Sequence, residues 1–200
     1  MNLVVPNSGS NWFGLHSAQP PFPLAYKNRK DTGARLVDFD GDGLLDMIWH
    51  HVLSNGVVES EAYRNSGNHW NESYAWHSIP AYRSPFPIGQ DNANPAFSSS
   101  FVDLNGDGRV DIIGRTDNTN RAYLNNGSGW QQASQWHAPC DLRYGTVFLD
   151  VNGDGLPDLI QHWYGNYEYK KGVWFNNGNG WTACPAGERA TYLPPLMNAS

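Results

Sequence analysis

The sequence predicts an all-β, β-propeller-type repeat array, and three observations carry that prediction. A nine-residue acidic motif recurs three times in register. A turn motif ending in tryptophan recurs four times. The 200 residues hold almost no Ala/Leu/Glu/Lys-rich stretch with a helical period.

The acidic motif comes first in the argument because it is the most regular. Val37–Asp46 reads VDFDGDGLLD, Val102–Asp111 reads VDLNGDGRVD and Leu149–Asp158 reads LDVNGDGLPD. The apolar pairs Val37/Phe39, Val102/Leu104 and Leu149/Val151 flank the first Asp with the period of a strand. Met47-Ile48, Ile112-Ile113 and Leu159-Ile160 open the strand that leaves the motif. Each copy therefore reads as strand, loop, strand.

The second landmark is YRNSGNHW at Tyr63–Trp70, YLNNGSGW at Tyr123–Trp130 and WFNNGNGW at Trp174–Trp181, with a shorter copy, NSGSNW, at Asn7–Trp12. Asn and Gly tolerate positive φ, so these segments predict hairpin turns. The tryptophan after each turn is expected to pack between units. Successive first aspartates, Asp38, Asp103 and Asp150, lie 65 and 47 residues apart, the longer interval holding a Pro/Ser/Asn-rich insertion near 83–100. A unit of that size suits a four-stranded blade that must stack on neighbours to bury its apolar face. The units read as 1–33 (partial), 34–97, 98–145 and 146–200, about three and a half. So few blades predict part of a larger propeller, with open ends that associate with further repeats, outside these residues or in a second copy.

Composition agrees. There are 21 glycines and 13 prolines, only 16% of residues are charged, and 40% are hydrophobic. The net charge of −6 argues against nucleic acid as a partner. Ten of the 19 acidic residues stand in the three loops, so three divalent cations would bring the formal charge to about zero. No apolar run approaches the roughly 18 residues of a membrane span. Met1–Pro6 lacks the basic and apolar segments of a signal peptide. Cys140 and Cys184 each follow a repeat tryptophan. A bridge between neighbouring units and two free thiols both stay open.

The loops read as Ca²⁺ sites. Oxygen side chains stand at positions 1, 3, 5 and 9: Asp38, Asp40, Asp42 and Asp46; Asp103, Asn105, Asp107 and Asp111; Asp150, Asn152, Asp154 and Asp158. Position 7, Leu44, Arg109 or Leu156, is placed to offer its backbone carbonyl. Glycine at position 6 permits the sharp curl that turns alternate oxygens inward. No His or Cys lies within the nine residues, and hard oxygen ligands in a flexible loop favour Ca²⁺ over zinc, copper or Mg²⁺. Crowded carboxylates would repel one another without a cation. The bland alternative is three Asx turns with spare acids. Four carboxylates in the first loop against three in the others predict that the first site is the strongest.

With these motifs in place, the chain resembles the FG-GAP/VCBS repeat family, whose calcium loops are also found in the integrin α-subunit propeller. The pairing of an acidic loop with an Asn-x-Gly-x-Gly-Trp turn is similar to repeats of large bacterial surface and Rhs/SpvB-like toxin proteins. The resemblance covers nearly all of residues 1–184. It implies structural calcium sites within propeller blades, at the nine-residue matches. The long first spacer, the weak Phe-Gly/Gly-Ala-Pro elements and the incomplete unit count depart from the pattern and bear on ring closure.

Other residues carry weaker expectations. His50, Arg115 and His162 each fall four residues after the last loop Asp, so they would project from matching points of three strands as a weak ligand-binding surface. His77 and His137 recur after the turn tryptophan and read as structural. Nine tryptophans beside Asn and Tyr leave a lectin-like sugar-binding propeller as the alternative function. No catalytic constellation is present, neither a Gly-x-Ser-x-Gly elbow nor a His-Glu-x-x-His helix. The leading expectation is a non-enzymatic, calcium-stabilised scaffold or adhesion module of an extracellular or cell-surface protein, with a protein or glycan partner.

Overall fold

The structure, a computed structural model, describes residues 32–52, 57–65, 70–72, 83–90, 98–116, 118–165 and 168–186. The opening turn motif Asn7–Trp12, the turn residues 66–69, and Trp76 with His77 lie outside these. The chain divides into two compact units, Met1–Asn94 with Asn126–Trp130, and Pro95–Asn125 with Gln131–Ser200.

The first unit holds β1 (Ala34–Val37), β2 (Asp46–Val52), β3 (Val58–Asn65) and β4 (Trp70–Glu72), paired in that order, with β5 (Gly89–Gln90) added parallel to β2. β1 meets β2 antiparallel from Ala34↔Trp49 to Val37↔Asp46, so the acidic loop is the connection between two adjacent strands. Ala34, Met47, Trp49 and Tyr63 form the apolar cluster of this sheet. The Trp49 indole N–H is satisfied by Thr32 O at 2.7 Å.

Two further four-stranded antiparallel sheets lie, Trp130 excepted, in the second unit. One runs β6 (Ser98–Val102), β7 (Asp111–Thr116), β8 (Thr119–Asn125), β9 (Trp130–Gln132); the other runs β10 (Thr146–Leu149), β11 (Asp158–Gly165), β12 (Glu168–Asn176), β13 (Trp181–Ala183). The same spacing of apolar residues gives the same registers, with Val102↔Asp111 and Leu149↔Asp158 closing the other two loops. Leu104, Ile113, Ala122, Trp136, Leu142 and Leu159 belong to one core, with Phe148, Trp174 and Trp181 packed against it. Residues from both sheets share that core. Neither sheet could bury its inner face alone.

The tryptophan expected to pack between units does so at Trp181. Its ring meets Trp136 edge-on, with centroids 5.6 Å apart, and its Nε1–H donates to Trp136 O at 3.2 Å. Trp136 itself follows β9 in a single 3₁₀ turn, Ser134–Trp136, and is fully buried. Among the described residues the only helical element is this turn, so the fold is all-β and propeller-type, as the repeat predicts. Neither cysteine is in a disulfide: Cys140 is half-buried and Cys184 buried. Burial pushes the Cys140 thiol up to about 12, with Asp141 adding to the effect, so it is an inert apolar filler at neutral pH.

The segment joining the two sheets of the second unit is held by Asp141. Its carboxylate accepts from Arg143 Nη2 at 2.6 Å and Nε at 2.9 Å, and lies 3.3 Å from Arg115 Nε. Gln161 Nε2 donates to Asp141 O and Tyr144 O, tying the same segment to β11. The Arg143 hydrogen bond, above all, holds the Asp141 carboxyl below the usual carboxylate range. The native state therefore gains stability from ionised Asp141 above an unfolded pKa of about 3.9, and loses it as pH falls through the lower folded value. Asp141→Asn should cost about 1 kcal/mol at pH 7. It should also flatten the loss of stability below about pH 4, read by urea unfolding across pH. An unchanged acid limb would show that Asp141 is not its source.

Candidate metal centres

Each loop is assembled by its own backbone, and the three are built alike. The position-1 carboxylate accepts from the amides of positions 4 and 6. Asp38 takes Gly41 N at 2.8 Å and Gly43 N at 2.9 Å; Asp103 takes Gly106 N and Gly108 N, both at 2.8 Å; Asp150 takes Gly153 N at 2.7 Å and Gly155 N at 2.9 Å. The Gly155 bond is the leading reason that the Asp150 carboxyl sits below its ordinary pKa. Both glycines must adopt left-handed φ for this, +79° and +85° in the first loop, so position 4 is as constrained as position 6.

Positions 3 and 5 each spend one oxygen on the amide two residues on. Asp42 N donates to Asp40 Oδ1 and Leu44 N to Asp42 Oδ1; the pattern repeats at Asn105, Asp107, Asn152 and Asp154. Each aspartate among them keeps a second carboxylate oxygen that its own backbone does not use. In the first loop Asp38, Asp40 and Asp42 bring one carboxylate oxygen each within 4.8 Å of one another. In the other two loops an Asn amide stands at position 3, and its Nδ2 donates to the position-5 carboxylate, at 3.0 Å in Asn105→Asp107 and 2.9 Å in Asn152→Asp154.

Position 9 lies deeper. Asp46, Asp111 and Asp158 are fully buried, and each receives two backbone amides. Asp111 Oδ2 accepts from Leu104 N and its Oδ1 from Asn125 N, both at 2.8 Å. Asp46 accepts from Phe39 N at 3.2 Å and Asn65 N at 2.8 Å; Asp158 accepts from Val151 N at 3.1 Å and Asn176 N at 2.8 Å. The ninth residue thus clamps the loop to the third strand of its sheet. Burial raises the Asp46 carboxyl to about 7 and Asp111 to about 6, in spite of these amides.

The sequence reading missed the asparagine at the head of each turn motif. Asn125 and Asn176 are 1% exposed, and Asn176 Nδ2 donates to Leu104 O at 2.8 Å and to Pro157 O at 3.3 Å. One side chain joins the second acidic loop to the third sheet. Its recurrence at 65, 125 and 176, beside the turn glycines, was the only signal. Asn176→Ala should lower unfolding free energy by about 1–3 kcal/mol, the cost of orphaning a buried carbonyl, measured by chemical denaturation. A loss under about 0.5 kcal/mol would mean that the contact carries no net weight.

His50, Arg115 and His162 stand at matching places in β2, β7 and β11, but their surroundings differ. His50 Nδ1 meets Ser84 O at 2.9 Å, and burial, its largest influence, lowers the His50 pKa. Arg115 reaches Asn120 Oδ1 at 3.1 Å and Asp141. His162 is half-buried, its amide donating to Gly145 O at 2.9 Å.

The donor sets fit a hard divalent cation. They offer oxygen only, on loops preformed by glycine and amide hydrogen bonds. Comparison with known proteins agrees with the repeat. Residues 103–161 match the FG-GAP-like repeat, spanning two acidic loops and the sheet between them. No curated protein matches the chain. Among solved structures it is similar to an Agrocybe aegerita lectin, described in a study of specific recognition of non-reducing terminal N-acetylglucosamine. The TM-score is 0.58 and identity 20%, over 92% of this chain and 46% of that one. It also matches a chain of the Photorhabdus luminescens Tc holotoxin pore at 17% identity and TM-score 0.38, over 92% of this chain and 11% of that one. The chain therefore spans less than half the length of either, and the lectin likeness is one of fold.

Proposed function

We propose that this chain, which carries an FG-GAP-like repeat, is a calcium-stabilised β-propeller scaffold or adhesion module of a larger extracellular or surface protein, acting by binding and not by catalysis. The observation that carries the reading is the common build of the three loops, seen most directly in the three converging carboxylate oxygens of Asp38, Asp40 and Asp42. Ca²⁺ bound there would join the end of one strand to the start of the next and neutralise the acids. In each loop, positions 1, 3 and 5 would supply side-chain oxygens and position 7 a carbonyl. Isothermal titration of chelator-stripped protein should find three Ca²⁺ per chain, with Mg²⁺ bound more weakly. Absence of any Ca²⁺ heat or competition would remove the reading.

A lectin-like function is the second reading, and the first unit supports it. A cavity of about 460 Å³ there is lined by Trp49, Tyr63, Glu59, Glu61, Ser60 and Arg83, a mix of aromatic wall and polar groups suited to a sugar ring. The fold likeness to a lectin points the same way. A glycan array probed with the calcium-loaded chain tests it: a defined glycan class supports the lectin, and an array without signal leaves the scaffold.

A further inference from the structure

Resting on the calcium reading, we infer that two arginines act as internal counter-ions that compete with Ca²⁺ in the first and second loops, so that the third loop binds first.

The second carboxylate oxygen of position 5, Oδ2, is where the three loops diverge. In the first loop Arg64 occupies it. Arg64 Nη2 lies 3.1 Å from Asp42 Oδ2, and Nε lies 2.7 Å from Asp40 Oδ2. One guanidinium therefore bridges the two oxygens that the backbone leaves for a cation. In the second loop Arg109 Nη2 lies 2.6 Å from Asp107 Oδ2, while Arg109 Nε donates to Asn125 O at 2.9 Å. In the third loop the same oxygen of Asp154 receives the neutral amide of Asn152. Positions that carry arginine elsewhere are apolar here, with Leu156 at position 7 and Phe175 where the first sheet has Arg64.

The two arginines come from different places. Arg64 stands on β3, the third strand of its sheet, and Arg109 within the loop itself. They converge on the same carboxylate oxygen, which points to the charge at that spot as the common cause. Arg64 approaches from solvent with its side chain 51% exposed, and Arg109 is 36% exposed, so each can swing out to admit a metal. Displacing the guanidinium lowers the apparent affinity. The extra carboxylate of the first loop is therefore offset, and ligand charge alone would rank the sites wrongly.

The position-6 amides of Gly43, Gly108 and Gly155 donate to their own position-1 carboxylates, so each reports its own loop. Ca²⁺ titration of the full chain, followed by the amide resonances of these three glycines, should saturate Gly155 first. Arg64→Gln should shift the Gly43 midpoint to lower Ca²⁺ by about fivefold, the weight of one unit charge at ~4 Å in water, with Gly155 unmoved. Arg109→Gln should do the same at Gly108 alone. Gly43 saturating ahead of Gly155, or midpoints indifferent to both substitutions, would overturn the inference while leaving calcium binding intact. No glycine responding to Ca²⁺ would overturn the calcium reading and this inference with it.

Discussion

Asp111→Ala is expected to destabilise the chain by about 4 kcal/mol even in chelator, far more than removal of any exposed loop acid. The side chain is fully buried, and its two oxygens hold Leu104 N and Asn125 N at 2.8 Å each. Truncation leaves two amides without that acceptor, at roughly 1–3 kcal/mol apiece, and opens a small void under Leu104. Asp111→Asn should cost about half as much, because the amide oxygen keeps one bond while its NH₂ faces the other donor. Asp107→Ala is the control. In chelator it forfeits a surface pair with Arg109 and two exposed hydrogen bonds, from Arg109 N and Asn105 Nδ2, together worth about 1 kcal/mol. Urea unfolding of the three variants decides the matter. Equal losses at 107 and 111 would show that the ninth residue is only another ligand and not a clamp.

That division of labour within one motif marks the boundary of what the sequence could tell. Alternation at Val37/Phe39, Val102/Leu104 and Leu149/Val151 placed the strands, and the glycines placed the curl, because both are local rules. The fold class and the positions of the loops were legible on those grounds. What the ninth aspartate touches was not. Its partners Asn65, Asn125 and Asn176 lie 14 to 19 residues away across a hairpin, at a distance set by register and not by spacing. The same is true of Arg64, 22 residues from Asp42, which nine-residue pattern matching has no means to see. The matching places of His50, Arg115 and His162 were legible. Their different partners were not, since Ser84, Asn120 and Asp141 stand at places the two repeated motifs do not cover. Cys140 and Cys184 show the reverse limit: their similar repeat positions left a bridge and free thiols equally open, and the structure has no disulfide there.

Calcium should stabilise the chain strongly, and more so at pH 8 than at pH 5. A ligand that binds only the folded state adds about 2.7 kcal/mol per site at a hundredfold excess over Kd, so three sites acting together could add about 8 kcal/mol. The pH dependence follows from the buried acids. Asp46 and Asp111 have folded pKa values raised to about 7 and about 6, chiefly by burial, against about 3.9 in the unfolded chain. For a raised carboxyl, the stabilising contribution is full below the unfolded value and is lost as pH rises through the folded one. In chelator, stability should therefore decline between about pH 4 and pH 7. A cation favours the ionised acids, so Ca²⁺ should remove that decline, and the gap between the two melting curves should widen over the same interval. Mg²⁺ should close less of the gap, because it demands a tighter octahedron than these loops offer. Thermal melts in chelator, Ca²⁺ and Mg²⁺ at pH 5 and pH 8 read all of this directly. A calcium increment that is the same at both pH values would mean that the buried ninth aspartates are already ionised without metal, and that their amide clamps outweigh the cost of burial.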